Sequence, residues 1–295
     1  MLTLEHLASL VERYGDALQA RVQPMSLGGR ELPFGRRPVL MGVINLSPDS
    51  WYRESVCLNT ETAVRRGRVL QAQGADLVDV GAESTLAHAA RVEDALQQSR
   101  LCPVVRELAA AGVLVSVETY SAAVAQAVLE AGARVINLTG TAEADAVYDL
   151  VAAHDAGLIL CYVQGAHVRA VGDFDFGADV VGRMTDWFGR ELDRARQRGV
   201  EKVILDPGLG FYYRNLQDSA RRVRHQMEVF LQTFRLRTLG CPVCHALPHA
   251  FEYFGEEVRC AEPFFAVLAA LGRTDLFRTH EVPRVRAVLE TLQVY

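Results

Sequence analysis

A small set of polar residues stands where short apolar runs give way to turns, and these could do chemistry: Asn45, Glu118, Asn137, Asp206, Arg278 and His280. Glu118 and Asp206 are carboxylates and Asn137 is an amide, so together they could grip the edge of a flat heterocycle. A 2-amino-4-oxo pyrimidine edge offers adjacent N–H donors to a carboxylate and a mixed donor and acceptor edge to an amide. An analogue without those donors would leave buried charge unpaired, which makes such a grip discriminating. Asn45, Arg278 and His280 suit an anion instead. An arginine and a histidine beside a loop that begins at an asparagine can hold phosphate, and the asparagine carbonyl with phosphate oxygens makes a magnesium environment. Plainer readings stay open. Asn45 could cap a turn, the three acid and amide residues could cap strand ends, and Arg278 could pair on the surface with Glu281 or Asp275.

Positioning these residues requires strands. The stretch MGVINLSPDS, residues 41–50, begins inside the apolar run from Val39 to Leu46, which is too short for an ordinary helix and is bounded by Pro38 and Pro48. It reads as a buried strand with Asn45 at its carboxyl end. Similar runs follow at Asp76 to Gly81, Val113 to Val117, Arg134 to Leu138, Leu158 to Val163, Lys202 to Leu205, Pro242 to Leu247 and Leu276 to Thr279. Helical patterns separate them: Thr60 to Gln73, Glu93 to Ala111, Ser121 to Ala131, Ala142 to Ala153, Ala178 to Gly199, Leu216 to Leu239 and Glu262 to Leu271, with Pro283 to Leu292 last. Gly74, Gly112, Gly132, Gly157, Gly199 and Gly240 stand where a left-handed helix cap wants glycine. Strand and helix alternating eight times, in units of about 30 residues, predict an α/β fold of the (β/α)₈ barrel kind. Residues 38–295 would form that barrel. Residues 1–37 would add an amphipathic helix over 3–20 and a turn or short hairpin, at Gly28, Gly29 and Pro33, that plugs the barrel bottom.

Active sites of this fold lie at the carboxyl ends of the strands, and every strand has something polar there. Beyond the residues named, Asp79, Glu83, Ser84 and Thr85 follow the second strand, Thr119 the third, and Gln164 and His167 the fifth. His245 and His249 mark the seventh. Both histidines titrate near neutral pH and could serve a second substrate, or simply pack. The spacing C-x₂-C-H-x₃-H from Cys241 to His249 invites zinc, but neighbours on a strand point to opposite faces, so Cys244 and His245 do not suit one tetrahedral site.

Composition narrows the partners. There are 31 Lys and Arg against 36 Asp and Glu, a net charge of −5, with no long basic run, which argues against nucleic acid. No run of eighteen apolar residues and no signal peptide is visible, so a soluble, cytoplasmic protein away from membranes is expected. The six cysteines sit mostly in apolar segments and are expected as reduced thiols.

In their order, the motifs resemble those of dihydropteroate synthase and the wider family of pterin-binding barrels. MGVINLSPDSWY, ADLVDVGAEST, SVETY, VINLTG, ILDPGLGF and RTHEV are each similar to a family motif, and the likeness runs over residues 39–292. The resemblance implies a homodimeric enzyme that, with magnesium, condenses a hydroxymethyl-dihydropterin diphosphate with 4-aminobenzoate. It implies pterin binding by Glu118, Asn137 and Asp206, and diphosphate or magnesium binding by Asn45, Thr85, Arg278 and His280. Departures accompany it. Leu86, Ala87 and His88 stand where the family has an arginine, Glu118 replaces an aspartate, Arg53, Glu54 and Ser55 replace S-D-G-G, and CPVCHALPHAFEYFG lacks the family's lysine and serine. A different acceptor is one consequence. Methyl transfer from a methylated tetrahydropterin, or pterin binding without turnover, are the alternatives.

Overall fold

The computed structural model describes residues 1–50, 52–84, 91–211 and 213–295. Two short strands, β1 (Met25–Leu27) and β2 (Arg30–Leu32), pair antiparallel across Gly28 and Gly29. Both glycines have positive φ, 55° and 78°, which a two-residue hairpin turn of this hand demands. Eight further strands follow: β3 (Val39–Asn45), β4 (Leu77–Gly81), β5 (Val115–Thr119), β6 (Val135–Leu138), β7 (Gly157–Cys161), β8 (Val203–Asp206), β9 (Cys244–Ala246) and β10 (Leu276–Thr279). They run parallel in the order β8-β7-β6-β5-β4-β3-β10-β9. A parallel bridge between Leu205 and Val243 joins the two outer strands, so the sheet closes into a barrel. The (β/α)₈ expectation therefore holds, with the N-terminal helix (Leu4–Tyr14) and hairpin in front of it.

The pleat explains how one short strand serves both core and site. Side chains alternate between the barrel interior and the surrounding helices, so residues two apart share a face. Leu77, Val135, Ile159, Ile204 and Leu276 fill the interior, together with Val39 and Met41. Two positions on, the same strands present Asp79, Asn137, Cys161, Asp206 and Arg278. The outward set, including Val78, Val80, Val115, Val117, Ile136, Leu158, Leu160 and Phe277, packs against the helical layer. From below, Leu27, Leu32 and Phe34 join the interior cluster, fully buried. The extension thus plugs the barrel bottom, and Arg30 fastens it by donating to the carbonyls of Asp76 and Gly112.

Some local expectations are corrected. The third strand lies two residues later than its apolar run, over Val115–Thr119, because Val113 and Leu114 approach the barrel before the ladder begins. The long helix expected over Leu216 to Leu239 breaks at Gln232 into Ser219–Leu231 and Thr233–Leu236, where Thr233 Oγ1 donates to the carbonyls of Val229 and Phe230. Five of the six cap glycines have positive φ; Gly157 does not, and Asp155 (φ 50°) takes the left-handed position. Gly157 instead opens β7 hard against the plug, where a Cβ would lie 2.7 Å from Leu27 Cδ2. Among the described residues, no helix is long and apolar enough to cross a membrane.

Candidate active site

Arg278, on β10, is the centre of the site. Its Nε donates to Asp79 Oδ2 at 2.7 Å and its Nη2 to Glu118 Oε2 at 2.6 Å. Asp79 is completely buried and takes two more bonds, from Ser116 Oγ (2.7 Å) and Asn137 Nδ2 (3.0 Å). Cys161 donates to Asn137 Oδ1 at 3.2 Å, and Asp206 Oδ1 accepts the Gly208 N–H at 2.8 Å. Strands β4, β5, β6 and β10 are thereby laced at one level. Arg278 is not the partner of Glu281 or Asp275, which pair with Arg259 and Arg237.

Two cavities open on this network. The inner one, about 50 Å³, is lined by Glu118, Asn137, Thr139, Asp206, Phe211 and Arg278 among others, so the three residues expected to grip a heterocycle do share a space. The outer one, about 250 Å³, also touches Glu118 and Arg278 and extends past Asn45, Tyr52, Phe211, His249, Phe251 and His280. Asn45 Nδ2 donates to Ser55 Oγ at 2.6 Å, which leaves the amide's other end as the acceptor. Thr85, assigned to the diphosphate from sequence, lies outside the described residues.

His280 sits in a second cluster that sequence reasoning did not find. Its Nδ1 is 2.8 Å from Glu262 Oε1 and 3.2 Å from His249 Nε2, which is itself 3.2 Å from the same carboxylate oxygen. Glu262 is completely buried. Tyr52 stacks on both imidazoles, with centroids 5.1 Å from His249 and 4.7 Å from His280, and its hydroxyl donates to Glu281. Glu262 looked like an ordinary acid in the first turn of a helix, although a lone charge in the otherwise apolar AEPFFAVLAAL was a signal.

His245 does not belong to the site. On β9 it points the opposite way from Cys244, which lies in the barrel interior, and its Nε2 meets Thr233 Oγ1 at 2.7 Å beside the Phe230 ring. The second-substrate role considered for it is corrected on that ground. The same alternation separates it from Cys244, Cys241 lies in the outer cluster away from Cys244, and His249 groups with Glu262 and His280, so the C-x₂-C-H-x₃-H spacing gathers no zinc site.

Burial sets the charges. It pushes the Glu118 carboxyl up to about 7, over the opposing pull of Arg278 and with added repulsion from Asp79. Asp206 is likewise raised by burial, to about 6, against the Gly208 N–H that favours its charge. Burial opposes the Arg278 charge, but Asp79 and Glu118 outweigh it and hold the guanidinium firmly protonated. For Glu262, burial would raise the carboxyl, yet His280 and His249 overcome it and hold it well below the usual carboxylate range. Three acids thus face one fixed cation at the barrel's core, and the arrangement favours a ligand edge that brings N–H donors.

A closed parallel barrel with acids and an amide at its strand ends defines a class, the barrel enzymes that hold a pterin. The family described as pterin binding enzyme matches residues 41–247, and the chain belongs to it. Its relatives there are dihydropteroate synthases. It is 35% identical over 264 residues to that of Mycobacterium leprae, covering 86% of this chain and 91% of the relative. With that of Synechocystis it shares 28% over 271 residues, covering 88% and 90%. Among solved structures, Burkholderia cenocepacia dihydropteroate synthase complexed with 7,8-dihydropteroate superposes with a TM-score of 0.78 at 27% identity, covering 92% of this chain and 96% of that one. The Xanthomonas albilineans enzyme with 4-aminobenzoic acid gives 0.77 at 28%, covering 92% and 98%. The chain is a pterin-binding transferase of the folate-biosynthetic kind.

Proposed function

We propose that this chain condenses a hydroxymethyl-dihydropterin diphosphate with an arylamine of the 4-aminobenzoate type, releasing diphosphate. The observation that carries the reading is the inner cavity shared by Glu118, Asn137 and Asp206, against the Arg278 bridge. The amino-pyrimidine rim donates to the two carboxylates, and Asn137 matches its mixed edge. Arg278, tied to Asp79 and Glu118, fixes the carboxylate that receives the pterin; the diphosphate lies toward Asn45 and His280. Reaction then requires a stabilised departing anion and an oriented weak nucleophile, so no strong base is needed. His249 and Phe251 line the outer cavity where the acceptor would enter, and they support an acceptor pocket unlike the family's lysine and serine.

Magnesium, implied by the resemblance, fits the single amide oxygen of Asn45 because this ion commonly keeps waters and binds through substrate phosphates. When bound it supplies counter-charge to the diphosphate. A barrel of residues 38–295 carrying its extension 1–37, acting in the cytoplasm as a homodimer, completes the reading. The exposed Phe264 and Leu271 support an apolar subunit contact.

The test is incubation with the pterin diphosphate, magnesium and 4-aminobenzoate. Stoichiometric diphosphate release with a pterin–arylamine product is expected. No release with this or any other arylamine refutes the transferase reading of the site.

A further inference from the structure

We propose that His249, Glu262 and His280 form a binding site for one divalent transition metal ion in the wall of the active-site cavity. The three donor atoms, His249 Nε2, Glu262 Oε1 and His280 Nδ1, make a triangle with edges of 2.8, 3.2 and 3.2 Å. Nitrogen and oxygen ligands about 2.1 Å from one cation are themselves separated by roughly 3.0–3.4 Å. A cation at that distance from all three atoms would sit ~1.1 Å off their plane.

With the carboxylate ionised, Oε1 can only accept, and each imidazole can donate to it when its facing ring nitrogen carries the proton. A cation that displaces those protons turns the same three converging lone pairs into ligands. The remaining bonds hold the carboxylate in place: Thr279 Oγ1 and the backbone N–H groups of His280 and Glu281 all donate to Glu262 Oε2, and Tyr52 covers both rings. Carboxylates and rings fixed in this way are what a metal site needs around its ligands.

The donor set names the kind of metal. Two imidazoles and one carboxylate suit zinc, cobalt, manganese or ferrous iron, whereas magnesium prefers oxygen alone. The site is thus distinct from a magnesium ion at Asn45. His249 and His280 line the outer cavity with Asn45, Glu118 and Arg278, while Glu262 is buried behind them. A metal held by three protein ligands keeps positions for water or for an oxygen of the bound ligand.

The test needs no pterin, so its outcome is separate from that of the proposed transfer reaction. Purified protein stripped with a chelator is titrated with Co²⁺ and Zn²⁺ by calorimetry and visible absorption. About one equivalent of Co²⁺ per chain is expected, with a visible band that Zn²⁺ abolishes and millimolar Mg²⁺ leaves intact. H249Q should weaken binding by more than ~100-fold, while H6A, at an exposed position, should match the parent. Zinc at a hundredfold excess over its Kd should raise the parent's melting temperature by about 5 °C or more and leave that of H249Q unchanged; the zinc-free melts of the two show that the variant folds. No saturable binding, an unchanged isotherm in H249Q, or equal competition by Mg²⁺ overturns the proposal.

Discussion

Replacing Glu118 by glutamine should strengthen the fold and weaken the ligand grip at once. The carboxyl is raised to about 7 from an ordinary 4.5, chiefly by burial, so at pH 8 the native state holds an anion that costs about 3 kcal/mol relative to the unfolded chain. The sign follows from proton counts. Between 4.5 and 7 the native state keeps a proton that the unfolded state has lost, so stability falls as pH rises through that window and then stays level. Glu118→Gln removes this loss by mimicking the protonated form. For a chain of this size the melting temperature at pH 8 should rise by up to about 6–12 °C, and the gain should vanish toward pH 4.5. Pterin affinity should move the other way. One charge-assisted bond to the ligand is lost, about 1.5–3 kcal/mol or roughly 10-fold to 150-fold in Kd. The parent's affinity should also decline below pH 7 as Glu118 gains its proton, while the variant's should hold until nearer pH 6, where Asp206 gains its own. Calorimetric melts from pH 4.5 to 8 and fluorescence titration with a hydroxymethylpterin from pH 5.5 to 8 measure both. A variant that is less stable at pH 8, or that binds pterin as well as the parent, refutes the reasoning.

Arg278→Gln does the opposite, leaving Asp79 and Glu118 buried without their counter-charge. A loss of about 3–5 kcal/mol is expected, read as a drop of roughly 6–20 °C in the melting midpoint. His245→Gln should leave pterin affinity within about twofold, since Thr233 and Phe230, not the cavity, surround the ring. Burial holds that imidazole down to about 3, so it stays neutral when folded and takes a proton below 6.5 only when unfolded. Stability is lost as pH falls from 6.5 toward 3, and urea denaturation should show a shallower acid slope in the variant. Gly157→Ala should cost about 1–3 kcal/mol by pushing Leu27 and the hairpin out of the barrel bottom, with pterin titration unaffected.

The barrel was readable because its strands are continuous apolar runs with polar ends, and a two-residue period carries Leu77 to Asp79 or Leu276 to Arg278 without any long-range knowledge. Local signals failed where only a neighbour distant in sequence decides. Gly157 looks like the other glycines after helices until Leu27 is seen against it. His245 and Cys244 are adjacent letters, and which one faces inward depends on how the three-residue β9 registers against β10. The bonds between Glu262 and its histidines join a helix start to two loops, and nothing periodic marks them. Arg278 is legible as a strand-end residue, but its two acid partners are not, since Asp79 and Glu118 come from strands far earlier in the chain.

The ring of strands is closed between β8 and β9 by one bridge, with the Leu205 N–H donating to the Pro242 carbonyl at 2.9 Å. Every other neighbouring pair of strands is joined by a ladder of three to five steps. Breathing of the barrel is therefore concentrated at this seam, and Asp206 sits on its lip. A ligand that draws Asp206 inward tightens the weakest joint of the cylinder, so occupancy and closure of the wall rise together.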